Sequence, residues 1–376
     1  MPWQWPWRRT HDRALWQIGD VPMQPVAAGV PVTPDRALRL STVWGCVRLL
    51  ADSVSTLPID VFRDDERDPL PTPRLLQRPS ADHPELADWL WAVMASLLLR
   101  GNAWGMITDR AGASLLPAQV DLLDPDRVSV QEDRDAPPVI RLDGAEVDRG
   151  ELWHVKAYPV AGSILGMSPV AYARESIGLG IAAERFGAKW FGDNAIPSGV
   201  LSSEQHLTRD SAKDLKELWE ASHGGRRGTA VLGQGAKFQA ITVNPEESQF
   251  LGTIGANAAT ICRIYGIPAG MMAGVELAGH EDYSSPEQRA VDFLTFALRP
   301  WLHRVERGVS RLLPRTQRAR FNAGGMVRAT LRERYEAHKL GIDGGWLLRS
   351  EVRELEDRPP VAGIDDQPPP PAGGIA

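Results

Sequence analysis

One group of residues in this chain has the spacing of a nucleotide site, Gly178-x-Gly180-x-x-Ala183. In dinucleotide-binding folds such glycines follow a strand and open a helix whose N-terminus holds a pyrophosphate. Here they sit inside a helical pattern with no strand before them, so close packing of two helices is the simpler account of the small residues. Glycines at 224, 225, 228, 233 and 235 are followed by no Lys-Ser/Thr pair that would grip a phosphate, and no G-x-x-x-x-G-K-[ST] run occurs. The eight histidines are scattered, without an H-x-x-x-H pair or an adjoining cysteine pair for zinc. No G-x-S-x-G elbow is present, and the acidic pairs Asp64/Asp65, Glu246/Glu247 and Glu281/Asp282 are sequence neighbours, which point apart on a strand or around a helix. The expectation is a chain that is not an enzyme and takes no cofactor or metal. A nucleotide-binding enzyme resting on Gly178 and Gly180 is the rival, separable by binding and ATPase assays.

Charge offers a different chemistry. From Arg299 to Arg320 stand seven arginines, at 299, 304, 307, 311, 315, 318 and 320, against the single carboxylate Glu306. Arg304, Arg307 and Arg311 recur every three or four residues and so share a helix face opposite an apolar stripe. That face reads either as a solvated surface or as a basic belt facing DNA or an adjacent subunit. Segment 271–285 has the opposite sign, with Glu276, Glu281 and Asp282 and no Lys or Arg. The chain as a whole carries a formal net charge of -6. It therefore does not coat DNA by neutralising phosphates wholesale, and any contact with DNA is local or transient.

These residues need a scaffold. At 376 residues, 43% hydrophobic and 24% charged, the chain has the composition of a globular protein with room for two or three modules. Cys46 and Cys262, each in an apolar helical pattern, are expected as reduced core thiols. No run reaches the roughly 18 to 20 apolar residues of a membrane span, and the opening MPWQWPWRR lacks a signal-peptide apolar region. The expectation is a soluble protein, not secreted, with Trp3, Trp5 and Trp7 on an arm that docks onto a neighbouring subunit.

Apolar steps of three and four predict a helix through Val43, Val47, Leu50 and Val54, stopped at Pro58, and a second one from near Pro84 to Gly101. Ile59 to Phe62 alternates as a strand, and short strands recur between Asn102 and Tyr158. Pro169 opens a long helix through Ile177, Ile181 and Trp190. An α/β insert follows, with strands near Val200, Ala230 to Leu232 and Phe238 to Val243 and a helix over 208–222. Helix resumes from Pro245 to Tyr265. A last long helix starts at Pro286, with the stripe Val291, Leu294, Leu298, Leu302, Val305, Val309 and Leu312, and Pro300 is expected to kink it. A helix near Arg328 to Leu340 precedes a proline-rich end. The stripe and the tryptophan arm exceed what one thin subunit would bury, which predicts a closed ring with heterologous contacts.

In order, five stretches resemble the portal proteins of long-tailed phages, prophages and gene-transfer particles. They are STVWGCVRLLADSVSTLPIDVFR, LLQRPSADHPELADWLWAVMASLLLRGNAWGMI, GMSPVAYARESIGLGIAAERFGAKWFGDNAIPSGVL, ICRIYGIPAGMM and the segment 283–313 with its Leu298-Arg299-Pro300. The resemblance implies an α+β portal fold with a mixed α/β wing, long stem helices, an α/β clip insert, a tunnel loop and a long kinked helix. Carried onto this chain, it gives an N-terminal arm at 1–38, the wing at 39–167, stem helices at 168–196 and 245–268 around the clip at 197–244, the tunnel loop at 269–285, the long kinked helix at 286–314, wing and short crown at 315–360, and a disordered tail at 361–376. It implies a ring, usually a dodecamer, at one capsid vertex of the virion, assembled in the host bacterial cytoplasm, through which double-stranded DNA passes. The partners implied are the terminase large subunit, a head-tail connector or adaptor and the major capsid protein, with no membrane. The tunnel residues would be Met271, Met272, Glu276, His280, Glu281, Asp282 and Tyr283. Arg226, Arg227, Lys213 and Lys216 would dock partners, and Arg304, Arg307 and Arg311 would form the belt. Another ring-forming head-tail protein is the alternative.

Overall fold

Proline, glycine and apolar spacing set the boundaries of most elements in the computed structural model. It describes residues 26–64, 66, 68–112, 115–132, 136–192, 199–203, 208–214, 217, 236–240, 245–268, 271–272, 286–323, 331–356, 358–359, 361 and 363. Helix α1 (Pro34–Leu38) starts on Thr33, whose Oγ1 accepts the Arg36 amide at 3.2 Å. Helix α2 (Ser41–Ser55) buries Val43, Cys46, Val47, Leu50, Ala51 and Val54, the face its sequence spacing marked. Strand β1 (Ile59–Arg63) and the two-residue β2 (Pro69–Leu70) form a hairpin across the charged 64–68 run. After the short α3 (Arg74–Gln77) comes α4 (Leu86–Arg100), which packs on α2 and ends at Gly101 with φ 73°. A Cβ there would lie 2.2 Å from the Met167 carbonyl oxygen, so glycine is required by backbone and by space together.

The β-rich block divides into two antiparallel sheets. Strands β3 (Asn102–Ala111), β4 (Leu116–Leu123) and β8 (Leu152–Lys156) form one, in the order β4-β3-β8. Strands β5 (Val128–Gln131), β6 (Val139–Leu142) and β7 (Ala145–Glu146) form the other. The first sheet lies on α4, where the Trp89 indole donates to the Val120 carbonyl at 2.9 Å and its ring meets Trp153 at 5.0 Å. Asn102 ties this sheet to the following loop: its Nδ2 donates to the Gly166 carbonyl at 2.9 Å and its Oδ1 accepts the Gly166 amide at 2.8 Å. His154 Nε2 also reaches Asn102 Oδ1, at 3.0 Å, and its ring stacks on Trp104 at 3.6 Å.

The helix expected from Pro169 is broken once. Helix α5 (Pro169–Tyr172) starts on Ser168, whose Oγ accepts the Ala171 amide at 3.1 Å and donates to the Leu99 carbonyl at 2.7 Å. Ala173 interrupts it before α6 (Arg174–Gly192). Helix α6 packs on α7 (Pro245–Tyr265). A Cβ on Gly180 would lie 2.6 Å from Asn257 Oδ1 and 2.9 Å from Leu40, and one on Gly178 would lie 2.3 Å from Val26. The nucleotide-like glycines are thus packing residues. Helix α7 also meets α2, and there Cys46 and Cys262 come together, buried and free, with their Sγ atoms 4.0 Å apart, a proximity that their positions in sequence gave no reason to expect.

Between α6 and α7 the described residues include β9 (Gly199–Ser203) and β10 (Ala236–Ala240), paired antiparallel with Leu201 opposite Phe238, and helical backbone over 209–214. The strand expected at 230–232 falls outside the described residues.

Helix α8 (Pro286–Asp292) runs into a π-helical turn (Phe293–Leu298) and then α9 (Arg299–Ser310). Proline at 300 has no amide hydrogen and its ring crowds the preceding turn, and the chain answers by winding wider just before it. The expected kink is therefore a change of winding, in which the Arg299 amide bonds the Leu294 carbonyl five residues back. From Leu298 onward the apolar stripe is covered by the chain's own core, with Leu298, Leu302, Val305, Val309 and Leu312 buried, while Val291 and Leu294 are half-buried. That part of the stripe gives no reason to invoke a second subunit. Beyond it, β11 (Gln317–Phe321) pairs antiparallel with β1, Ile59 opposite Phe321, to make the sheet β11-β1-β2. Helices α10 (Leu331–Asp343) and α11 (Arg349–Leu355) follow, joined through Glu356, which accepts from Arg334 at 2.7 Å and faces His338 Nε2 at 3.0 Å.

Two predictions follow from this packing. Gly180→Ala should destabilise the chain by about 1 to 3 kcal/mol, because the added methyl overpacks a closed contact. Gly252→Ala, on the neighbouring helix with nothing within 4 Å of the new methyl, should stabilise it by about 0.5 to 1 kcal/mol. Urea midpoints of the two variants against the parent check the opposite signs. The second concerns His154, whose pKa is lowered from 6.5 to about 3 by burial first and then by Lys156 and Arg311. Between those two values the unfolded chain binds a proton that the folded chain refuses, so this residue makes stability fall as pH falls through the window. Unfolding free energy measured from pH 6.5 to 3 should show a shallower slope in His154→Gln than in the parent; equal slopes would contradict the assignment.

Candidate nucleic-acid interface

Helix α9 has two working faces. Its apolar side, Trp301, Leu302, Val305 and Val309, is buried. It lies on β8 so closely that a Cβ on Gly308 would come within 2.4 Å of Val155, and the Trp153 indole donates to the Gly308 carbonyl at 2.8 Å. The opposite side carries the arginines.

Those arginines do not act alike. Arg304 is folded inward: its guanidinium sits 4.8 Å from the Trp301 ring centre and 5.2 Å from that of Tyr158, and donates to the Pro300 carbonyl at 2.9 Å. Burial lowers its pKa. The residue is therefore a stacking element, and the expected belt loses its first member. Arg307 and Arg311 are exposed, Arg311 reaching the His154 carbonyl at 3.3 Å.

Strand β11 completes the surface. Its alternation buries Ala319 and Phe321 and exposes Arg318 and Arg320. Between α9 and β11 runs a groove of about 600 Å3 lined by Arg307, Arg311, Arg315, Arg318 and Arg320. An adjoining hollow of about 410 Å3 shares Arg320 and extends to Arg299. The one carboxylate of the groove, Glu306, is already engaged, its Oε1 accepting the Phe321 amide at 2.9 Å. Arg318 pairs with Asp64 at 2.5 Å, whereas Arg307 and Arg315 have no ion-pair partner among the described residues. Such a surface can hold anions by charge and by the planar donors of guanidinium. Sequence periodicity grouped Arg304 with Arg307 and Arg311; the strand alternation of Arg318-Ala319-Arg320 was the available signal for the other wall.

The remaining candidate residues fall differently. Met271 and Met272 are half-buried against the core, Met272 over Gly45 of α2, so they are held by packing and do not stand free on a loop. Glu276, His280, Glu281, Asp282 and Tyr283 lie outside the described residues, as do Arg226, Arg227 and Lys216. Lys213 is exposed and faces Glu217 at 3.7 Å, one helical turn away. Among the described residues no cluster of three or more His, Cys, Asp or Glu side chains could hold a metal ion, and no helix is long and apolar enough to cross a membrane.

Comparison with known proteins matches this architecture. The model of the phage portal protein family covers residues 41–357. The probable portal protein of Streptomyces phage phiC31 is 32% identical over 93% of this chain and 80% of its own length. The portal protein of Enterobacteria phage HK97 is 27% identical over 93% of this chain and 86% of its own. A chain in the neck of a native gene transfer agent particle, computed with C12 symmetry, shares the fold at a TM-score of 0.64 and 21% identity, covering 92% of this chain and 99% of that one. With the helices, sheets and arginine-rich long helix in the order its sequence laid down, this chain belongs to the phage portal protein family.

Proposed function

We propose that the chain is one subunit of a closed ring of twelve copies at a single vertex of a phage or phage-derived capsid, forming the channel for DNA packaging and ejection. The observation that carries this reading is the family match across residues 41–357, and the C12 symmetry of the similar neck chain supports the copy number. Motor chemistry would belong to a separate terminase large subunit. The segment 197–244 would serve as the clip, offering Lys213, Lys216, Arg226 and Arg227 to that motor and then to a head-tail connector. The wing side would meet the major capsid protein, and assembly would take place in the host bacterial cytoplasm before the ring becomes part of the virion.

What would hold the ring together is no longer the stripe of the long helix. Leu179 and Phe186, 47% and 53% exposed, stand seven residues apart on α6 and so on one side of it. Tyr172, at the end of α5, is 56% exposed as well. An apolar row of this kind on a stem helix suits burial against the next copy. Heterologous contacts of that sort close into a ring when the rotation between copies is right.

Segment 269–285 would project into the channel. Its carboxylates Glu276, Glu281 and Asp282 would repel the phosphate backbone and keep the duplex centred, since strong cationic contacts would add drag and salt dependence. His280 and Tyr283 would lie on the same loop, and glycines 274 and 279 would let it move.

Negative-stain images of purified protein should show rings with a central hole, and Leu179→Asp should shift the population toward smaller species while leaving the chain folded. A parent that sediments as a stable monomer at micromolar concentration would remove the reading. Replacing Glu276, Glu281 and Asp282 together with Lys should make packaging or DNA retention strongly dependent on salt. Packaging at the parent rate across a range of salt would take this loop out of the channel.

A further inference from the structure

We propose that the arginine groove between α9 and β11 binds the phosphate backbone of double-stranded DNA, as a holding surface separate from the acidic loop. This rests on the reading that the assembled ring meets a duplex. Three observations lead to it, and the first is spacing. Arg307 and Arg311 stand one helical turn apart, about 6 Å along the axis at 1.5 Å per residue, with Arg311 at the cap of α9, and Arg315 follows in the turn before β11. Arg318 and Arg320 stand two residues apart on the facing strand, about 6.6 Å. Both steps are comparable with the separation of successive phosphates along a DNA strand, so the two walls present cations in rows.

Second, the charge of the groove is not spent inside the chain. Glu306 is held by the Phe321 amide, and of the five arginines that line the groove only Arg318 has a carboxylate partner among the described residues. Stacking takes Arg304 out of the groove, which is why the row starts at Arg307.

Third, a copy of the same chain is a poor occupant. Asp64, just past β1, already supplies Arg318 with a carboxylate from the same chain. A polyanion with evenly spaced charges matches five arginines better than isolated carboxylates do. Because the chain as a whole is acidic, the groove is a local cationic island, which limits contact to a few phosphates per subunit and keeps the binding reversible.

The test is the salt dependence of binding of a short fluorescent duplex to the assembled protein, followed by anisotropy between about 50 and 200 mM salt. Changing Arg307, Arg311 and Arg315 together to Gln should lower the slope of log affinity against log salt by about three, roughly one per lost phosphate contact. The same three positions changed to Lys should keep the parent slope, since charge rather than fork geometry carries the term. Arg48, Arg149 and Arg263, exposed outside the groove, changed together to Gln should leave it unmoved. Should the groove triple not fold, each single Gln variant should lower the slope by about one. An unchanged slope in an assembled triple overturns the proposal. So does a folded triple that no longer forms rings, which would assign the groove to a neighbouring subunit. Rings absent from the parent would instead overturn the portal reading, a separate readout in the same preparation.

Discussion

What α9 presents to solvent depends on how closely its other side lies on β8. Gly308 permits that approach, because any side chain there would meet Val155 and Trp153. Trp153 fixes the approach by donating to the Gly308 carbonyl while its ring packs on Trp89, whose own indole is satisfied by Val120. Both buried indoles thus find partners without water, and one contact region joins α4, the β4-β3-β8 sheet and α9. With that side fixed, the positions three and four residues away on α9 face outward, and β11, hydrogen-bonded to β1, supplies the facing wall.

Much of this was legible in the sequence where the signal is local. Pro58, Gly101, Pro169, Pro245 and Pro286 mark boundaries because proline and glycine act on their own backbone, and α2 buries the residues its spacing named. Less was legible where a distant partner decides. The strand Gln317–Phe321 was not foreseen, because five residues with three polar side chains become a strand only when β1 offers its edge. The pairing of Cys46 with Cys262 depends on the crossing of α2 and α7. Of the three arginines that periodicity placed on one face, Arg307 and Arg311 are exposed, and Arg304 is turned onto the rings of Tyr158 and Trp301, a contact that helical periodicity cannot register.

The charge of this acidic chain is unevenly distributed. A uniform basic surface would bind phosphates everywhere and bring strong salt dependence. Arginine is concentrated along one groove, while segment 271–285 carries no Lys or Arg. Arginine suits the holding of anions because its guanidinium is weakly hydrated and stays charged.

The pairing of β1 with β11 also sets a clock. Ile59 and Phe321 are partners across roughly 260 residues of chain. At about 5 to 20 residues per second of synthesis, β1 leaves the ribosome some 13 to 50 s before its partner exists. During that interval one edge of β1 is open and the other is covered only by the two residues of β2, the condition in which a strand recruits the wrong chain. Asp60 within the strand and the charged run that follows Phe62 are the kind of residues that keep such an edge solvated. The nascent subunit therefore carries its protection against premature association in the hairpin that later completes its sheet.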